Sequence, residues 1–82
     1  MNTKHEFEAV GICPANGNKD NYRVTVRTER MLPVEDILGA SEIILCDPIY
    51  QETYTQKLAS EIGAEVETVC FHSGVKTTCV SR

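Results

Sequence analysis

Cys13-Pro14-Ala15-Asn16-Gly17-Asn18-Lys19-Asp20 lies between two segments of strand character. Pro14 closes the first segment, and Asn16-Gly17-Asn18 is a strong turn signal, because Gly and Asn accept the left-handed backbone that tight turns demand. After the loop the chain alternates from Tyr22 to Glu29. Tyr22, Val24 and Val26 share one face, and Arg23, Thr25 and Arg27 share the other. That period of two marks a strand with one buried side. Before the loop, His5 to Ile12 carries Phe7, Ala9 and Val10 and reads as a short strand. The two form a hairpin whose loop holds a cysteine at one end and an aspartate at the other. A thiol and a carboxyl brought together in this way are candidates for a nucleophile and a proton donor.

Further along, Leu32-Pro33-Val34-Glu35-Asp36-Ile37-Leu38-Gly39 predicts a short helix. Pro33 suits its first turn, acids follow near the positive end, and Gly39 suits its stop. Ser41 to Cys46 is an apolar run that reads as extended or loop. Asp47 and Pro48 then suit the N-cap and first position of a second helix. Tyr50, Tyr54, Leu58 and Ile62 recur every four residues as its apolar stripe, and Gly63 is its C-cap. Glu52 falls off that stripe near the helix start, where the helix dipole favours a carboxylate. Glu65–Phe71 and Val75–Val80 predict a second hairpin turning through His72-Ser73-Gly74. The order is strand, strand, helix, helix, strand, strand. It predicts an α+β domain, a four-stranded antiparallel sheet (ββααββ) with two helices on one face.

Eighty-two residues bound the chain to a single domain, 1–82, with a modest core. No apolar run is long enough to span a bilayer, and Met1–Glu6 is polar with no signal-peptide character. A cytoplasmic protein without membrane association is expected. The net charge of -4 argues against a broad electrostatic grip on nucleic acid. Arg23, Arg27 and Arg30 read as a solvated series that could still meet a phosphate. The four cysteines, Cys13, Cys46, Cys70 and Cys79, include no CxxC pair and match no zinc spacing, so no metal is expected. Cys46, Cys70 and Cys79 read as small buried hydrophobes. Pairing of the last two strands could bring Cys70, His72 and Cys79 together, and His72 reads as a turn residue.

The element order, with Cys-Pro-x-x-Gly-x-x-Asp in the first hairpin loop, resembles the tunnelling-fold (T-fold) nitrile reductases that act on 7-cyano-7-deazaguanine, the QueF family. Cys13, Pro14, Gly17 and Asp20 stand at the motif positions. Tyr50-Gln51-Glu52 stands where the family has an aromatic residue followed by His-Glu. The resemblance implies that Cys13 and Asp20 are catalytic, and that Glu52, with Gln51 beside it, binds the amino and ring N–H edge of the base. It also implies a homo-oligomer with interfacial sites. The reductases bind NADPH through a lysine-rich stretch, whereas Val34-Glu35-Asp36-Ile37-Leu38 keeps a glutamate and has no lysine. Their last hairpin turns through Arg-Gly-Gly, and this one through His72-Ser73-Gly74-Val75. In these respects the chain is more similar to the archaeal amidine-forming QueF-like branch. That branch keeps the cysteine, aspartate and glutamate and adds ammonia to a nitrile installed on tRNA, giving the formamidine of archaeosine.

The implied chemistry is addition of the Cys13 thiolate to a nitrile carbon, giving a covalent thioimide, with Asp20 supplying the proton. Ammonia then displaces sulfur and leaves an amidine, with no cofactor. The alternatives are an NADPH-dependent 7-cyano-7-deazaguanine reductase in queuosine biosynthesis and a non-catalytic T-fold interaction module in which Cys13 is incidental.

Overall fold

The computed structural model describes residues 1–82. Four strands and two helices follow in the order β1 (Thr3–Ile12), β2 (Lys19–Thr28), α1 (Val34–Ile44), α2 (Gln51–Ile62), β3 (Glu65–His72) and β4 (Val75–Ser81). All neighbours are antiparallel and the sheet order is β1-β2-β3-β4, so β1 and β4 are its edges. No helix is long and apolar enough to cross a membrane.

The alternation in β2 sets the sides of the sheet. Tyr22, Val24 and Val26 are buried with Val66 and Cys70 of β3 and with Ile37, Tyr54, Leu58, Ala59 and Ile62 from the helices. Both helices therefore cover one face. The register carries each row across the sheet: Phe7 opposes Val24, Val24 opposes Thr68 and Thr68 opposes Cys79. The other face carries Arg27, which meets Glu65 and Glu67 at 3.1 and 3.3 Å, and Arg23, which reaches Glu8 at 3.8 Å. Arg30 lies beyond β2, and its guanidinium donates to the Ile62 carbonyl at the end of α2.

The first helix runs past its expected stop. It continues through Gly39 and takes in residues 41–44, part of the run read as extended. An interior glycine costs about 1 kcal/mol relative to alanine. Continuing the helix places Ile37, Ala40, Ser41 and Ile44 at helical spacing against the core. Burying one large aliphatic side chain is worth about 1.5–3 kcal/mol, which outweighs the glycine.

The second helix starts later than its capping residues suggest. Asp47 and Pro48 stay outside it and Tyr50 is the N-cap. Ile49 is buried and donates its N–H to the Ile12 carbonyl at 3.0 Å, which pins this segment to the end of β1. The inward stripe is Gln51, Tyr54, Thr55, Leu58, Ala59 and Ile62, and Tyr50 is 51% exposed. Gly63, at φ 64°, closes α2 as expected, with its N–H on the Ala59 carbonyl.

Candidate active site at the loop end of the sheet

The loop from Cys13 to Asn18 is closed by its own backbone. Cys13 N–H donates to the Asn18 carbonyl at 2.8 Å, and Gly17 N–H donates to the Cys13 carbonyl at 2.9 Å. Asn16 Oδ1 accepts from the Asn18 N–H, and Gly17 takes the left-handed φ of 73° that its missing Cβ permits. Asp20 lies in β2, past the turn, opposite Gly11. Cys13 follows β1 on the same alternation as Gly11, two residues further along. Diagonal neighbours of that kind lie roughly 7–8 Å apart. Cys13 is half-buried, Asp20 is only 8% exposed, and no hydrogen bond joins the two side chains.

Asp20 belongs to a larger polar group on the helix-covered face. Tyr22 Oη donates to Asp20 Oδ2 at 3.5 Å, a long contact, and His72 Nδ1 lies 3.7 Å from Asp20 Oδ1. Asp20, Cys70 and His72 each offer an atom within 4.8 Å of the others. Burial pushes the Tyr22 hydroxyl far above the usual tyrosine value, with the Asp20 charge as the next cause. Burial also pushes the Cys70 thiol up, again reinforced by Asp20. Cys13 contributes to both shifts, so it belongs to the same electrostatic neighbourhood. Tyr22 leans over β1, where a Cβ on Gly11 would meet Tyr22 Cε2 at 3.0 Å.

Gln51 closes this group from above. It is 2% exposed. Its Nε2 approaches the Thr68 carbonyl, Thr68 Oγ1 and the Thr77 carbonyl at 3.0–3.2 Å, and its Oε1 lies 2.8 Å from His72 Nε2. Carbonyls can only accept, so the amide nitrogen must face them and Oε1 must face the histidine. Thr55 gives its proton to the Gln51 carbonyl, so in the 2.7 Å contact between hydroxyls Thr68 donates to Thr55. That leaves Thr68 Oγ1 free to accept from Gln51. The chain of assignments requires His72 Nε2 to carry a proton, and in the neutral ring it leaves Nδ1 with its lone pair facing Asp20.

The residues singled out in the sequence are therefore placed in two groups. Cys13 and Asp20 share the loop end of one face. Glu52 is exposed on the first turn of α2, close enough to Cys79 of β4 for its charge, after burial, to raise that thiol. Gln51 points inward with its polar atoms taken up inside the chain. His72 is the last residue of β3 and faces the site, not the turn; the turn itself is Ser73-Gly74, both at positive φ. Of the three cysteines expected to be buried, only Cys70 is: Cys46 is exposed and Cys79 half-buried. Cys79 is not part of the Asp20–Cys70–His72 group. Sequence reasoning missed Tyr22 as a site residue and grouped Cys70 with His72 and Cys79 rather than with Asp20. The signal was available in the strand alternation, which puts Tyr22 on the face of Asp20 and Cys70 on the face of His72. A surface groove of about 590 Å³ lies elsewhere, between residues such as Val10, Arg23, Val69, Phe71 and Lys76.

No protein-family model matches the chain, and no curated protein matches it. A solved structure is similar to it, that of an archaeosine synthase QueF-Like in its apo form. The two align with a TM-score of 0.77 over 98% of this chain and 90% of that one, at 15% sequence identity. With four antiparallel strands, two helices and the order ββααββ, the chain is an α+β protein with the T-fold.

Proposed function

We propose that the chain is a QueF-like enzyme that forms a covalent thioimide between Cys13 and the nitrile of 7-cyano-7-deazaguanine, free or in tRNA, and converts it to an amidine. The observation that carries this reading is the pairing of a half-buried thiol with a buried carboxyl, Asp20, at one end of one sheet face. The likeness in fold to an archaeosine synthase supports the choice of substrate.

The Cys13 thiolate adds to the nitrile carbon. One C–N π bond breaks, a C–S bond forms, and the nitrogen takes a proton from Asp20. The gap of roughly 7–8 Å expected between diagonal neighbours leaves room for the nitrile between the two groups. Ammonia then adds to the thioimide carbon, the C–S bond breaks, sulfur leaves as the thiolate, and a proton from the added ammonia returns to Asp20. The sum is nitrile plus ammonia to amidine, with no change of oxidation state and no nicotinamide. Tyr22 and His72 hold the Asp20 carboxyl in place, and Gln51 holds His72.

Glu52 would grip the base through its N–H groups, as a charged acceptor does well. Within one chain Glu52 lies toward β4, whereas Cys13 follows β1. Three strand spacings of about 4.8 Å separate those edges. The reading therefore calls for a homo-oligomer in which Glu52 of one copy faces Cys13 of the next. The free hydrogen-bonding groups of the edge strands β1 and β4 favour such an assembly.

The test is intact-mass measurement after incubation with 7-cyano-7-deazaguanine. The wild-type chain is expected to gain the mass of one ligand, and Cys13→Ala to gain nothing. No adduct at saturating ligand sinks the reading and leaves the interaction module. Adduct formation accompanied by NADPH oxidation transfers it to the reductase.

A further inference from the structure

We propose that Asp20, Cys70 and His72 form a binding site for a zinc-type divalent ion, with Gln51 orienting the histidine. The inference does not rest on the thioimide reading: an Asp20 carboxylate that ligates an ion has no proton to give, so metal binding and nitrile addition exclude one another at this site. It starts from two facing acceptors. The Gln51 amide is held by two carbonyls and a hydroxyl, so its oxygen takes the His72 Nε2 proton. The Nδ1 lone pair of the neutral ring then lies 3.7 Å from Asp20 Oδ1. Two acceptors facing one another, with Asp20 buried and His72 half-buried, call for a positive charge between them: a shared proton or a metal ion.

The third group selects the metal. Cys70 is 1% exposed, and its sulfur lies within 4.8 Å of both partners. Thiolate with imidazole and one carboxylate is a zinc-type donor set and a poor one for magnesium or calcium. Zinc bonds of about 2.0–2.2 Å to nitrogen and oxygen at a tetrahedral angle put those atoms roughly 3.3–3.5 Å apart. The 3.7 Å observed is slightly wider than that, and sulfur has to close in by side-chain rotation. The charges balance, since carboxylate and thiolate offset a divalent cation. A histidine ligand whose other nitrogen donates to a fixed oxygen is the usual outer-shell arrangement of a metal site, which sets both tautomer and ring plane. A thiol gives up its proton to ligate a metal, so binding expels one proton per ion.

The sequence conceals this site because its ligands are not spaced as a motif. Asp20 comes from β2, and Cys70 and His72 are alternate residues of β3. Sheet pairing alone brings them together.

Cobalt(II) titration tests the proposal. The probe is the triple variant Cys13→Ser, Cys46→Ser, Cys79→Ser, which keeps Cys70 as its only sulfur ligand besides methionine. One cobalt per chain is expected, with a near-ultraviolet thiolate charge-transfer band and the visible bands of a tetrahedral ion. Zinc is expected to displace the cobalt and to release a proton as it binds the metal-free variant. Gln51→Leu, in the same background, is expected to weaken binding about 10–100-fold, and His72→Asn to abolish the one-to-one titration. A folded triple variant with no charge-transfer band overturns the proposal. So does a band of unchanged affinity in His72→Asn. Because Cys13 is absent from the probe, these outcomes are independent of whether the wild-type chain forms an adduct with the nitrile.

Discussion

At one end of the helix-covered face, Val26 pairs with Val66, and both belong to one hydrophobic cluster with Leu58 and Ile62. At the other end the same strands present Asp20, Tyr22, Cys70 and His72, and the same helix α2 contributes Gln51 in place of a leucine. No buried side-chain nitrogen or oxygen there lacks a hydrogen-bond partner, so the polar end is not a packing fault. Yet burying hydrogen-bonded polar groups returns far less stability than burying carbon. An 82-residue chain has little stability to spare. The contrast separates an apolar half that holds the fold together from a polar half that stability alone does not call for.

The sharpest way to break that division is to cut each half in turn. Leu58 is fully buried in the apolar half. Leu58→Ala should cost about 2–5 kcal/mol, a large share of the roughly 5–15 kcal/mol available to a domain. Urea denaturation monitored by circular dichroism measures it, and a loss below that range would show that the apolar half is not the main source of stability. Asp20→Asn keeps the shape of the polar half and removes its acid. Adduct formation with 7-cyano-7-deazaguanine should slow by about 10²–10⁴-fold, while equilibrium binding of the base to a Cys13→Ala background stays the same. An unchanged rate removes Asp20 from the mechanism.

How much of this division was legible in the chain differs by region. The first hairpin was plain, because Asn16-Gly17 and the Tyr22-Val24-Val26 alternation agree. Strand ends moved by no more than three residues. The helices were less legible, because local stop and start signals lost to burial: Gly39 lies inside α1, and Asp47-Pro48 is spent on anchoring Ile49 to β1. The start three residues later than expected leaves Tyr50 outside α2 and puts Gln51 at the head of its inner stripe. Helical spacing alone could not choose between them, since hydropathy favours tyrosine. The polar half was hidden for a related reason. Asp20 is brought to Cys70 and His72 by strand pairing across fifty residues or more, and no local pattern encodes that.

Gln51→Leu probes the join between the halves. It replaces the amide with an apolar group of similar size, taking the donors from Thr68 and Thr77 and the acceptor from His72. A stability loss of about 1–3 kcal/mol is expected. Nitrogen NMR of the His72 ring should show the Nε2–H tautomer for the neutral wild type and lose that preference in the variant. Retention of the tautomer would mean that something other than Gln51 orients the ring.

The smallest effect comes from the seam between the two halves, where the rings of Tyr22 and Tyr54 stack at 5.1 Å and 29°. Tyr54 is completely buried, and its hydroxyl meets Ser41 Oγ at 2.7 Å. Burial raises its pKa above the ordinary 10.0, and the Ser41 hydrogen bond offsets part of that rise. Below pH 10 the folded and unfolded chains both keep the proton, and the contribution of Tyr54 is intact. Above pH 10 the unfolded chain releases it first, so stability falls as pH rises through the raised folded value. Tyr54→Phe cannot titrate. It should lose about 1 kcal/mol at neutral pH with the Ser41 hydrogen bond, and its stability should decline less steeply than that of the wild type above pH 10. Tyr22, which also titrates upward from 10.0 and is raised further, keeps the residual slope from vanishing. Parallel curves for the two proteins would mean that the seam opens before Tyr54 ionises, and that the polar half unfolds ahead of the apolar one.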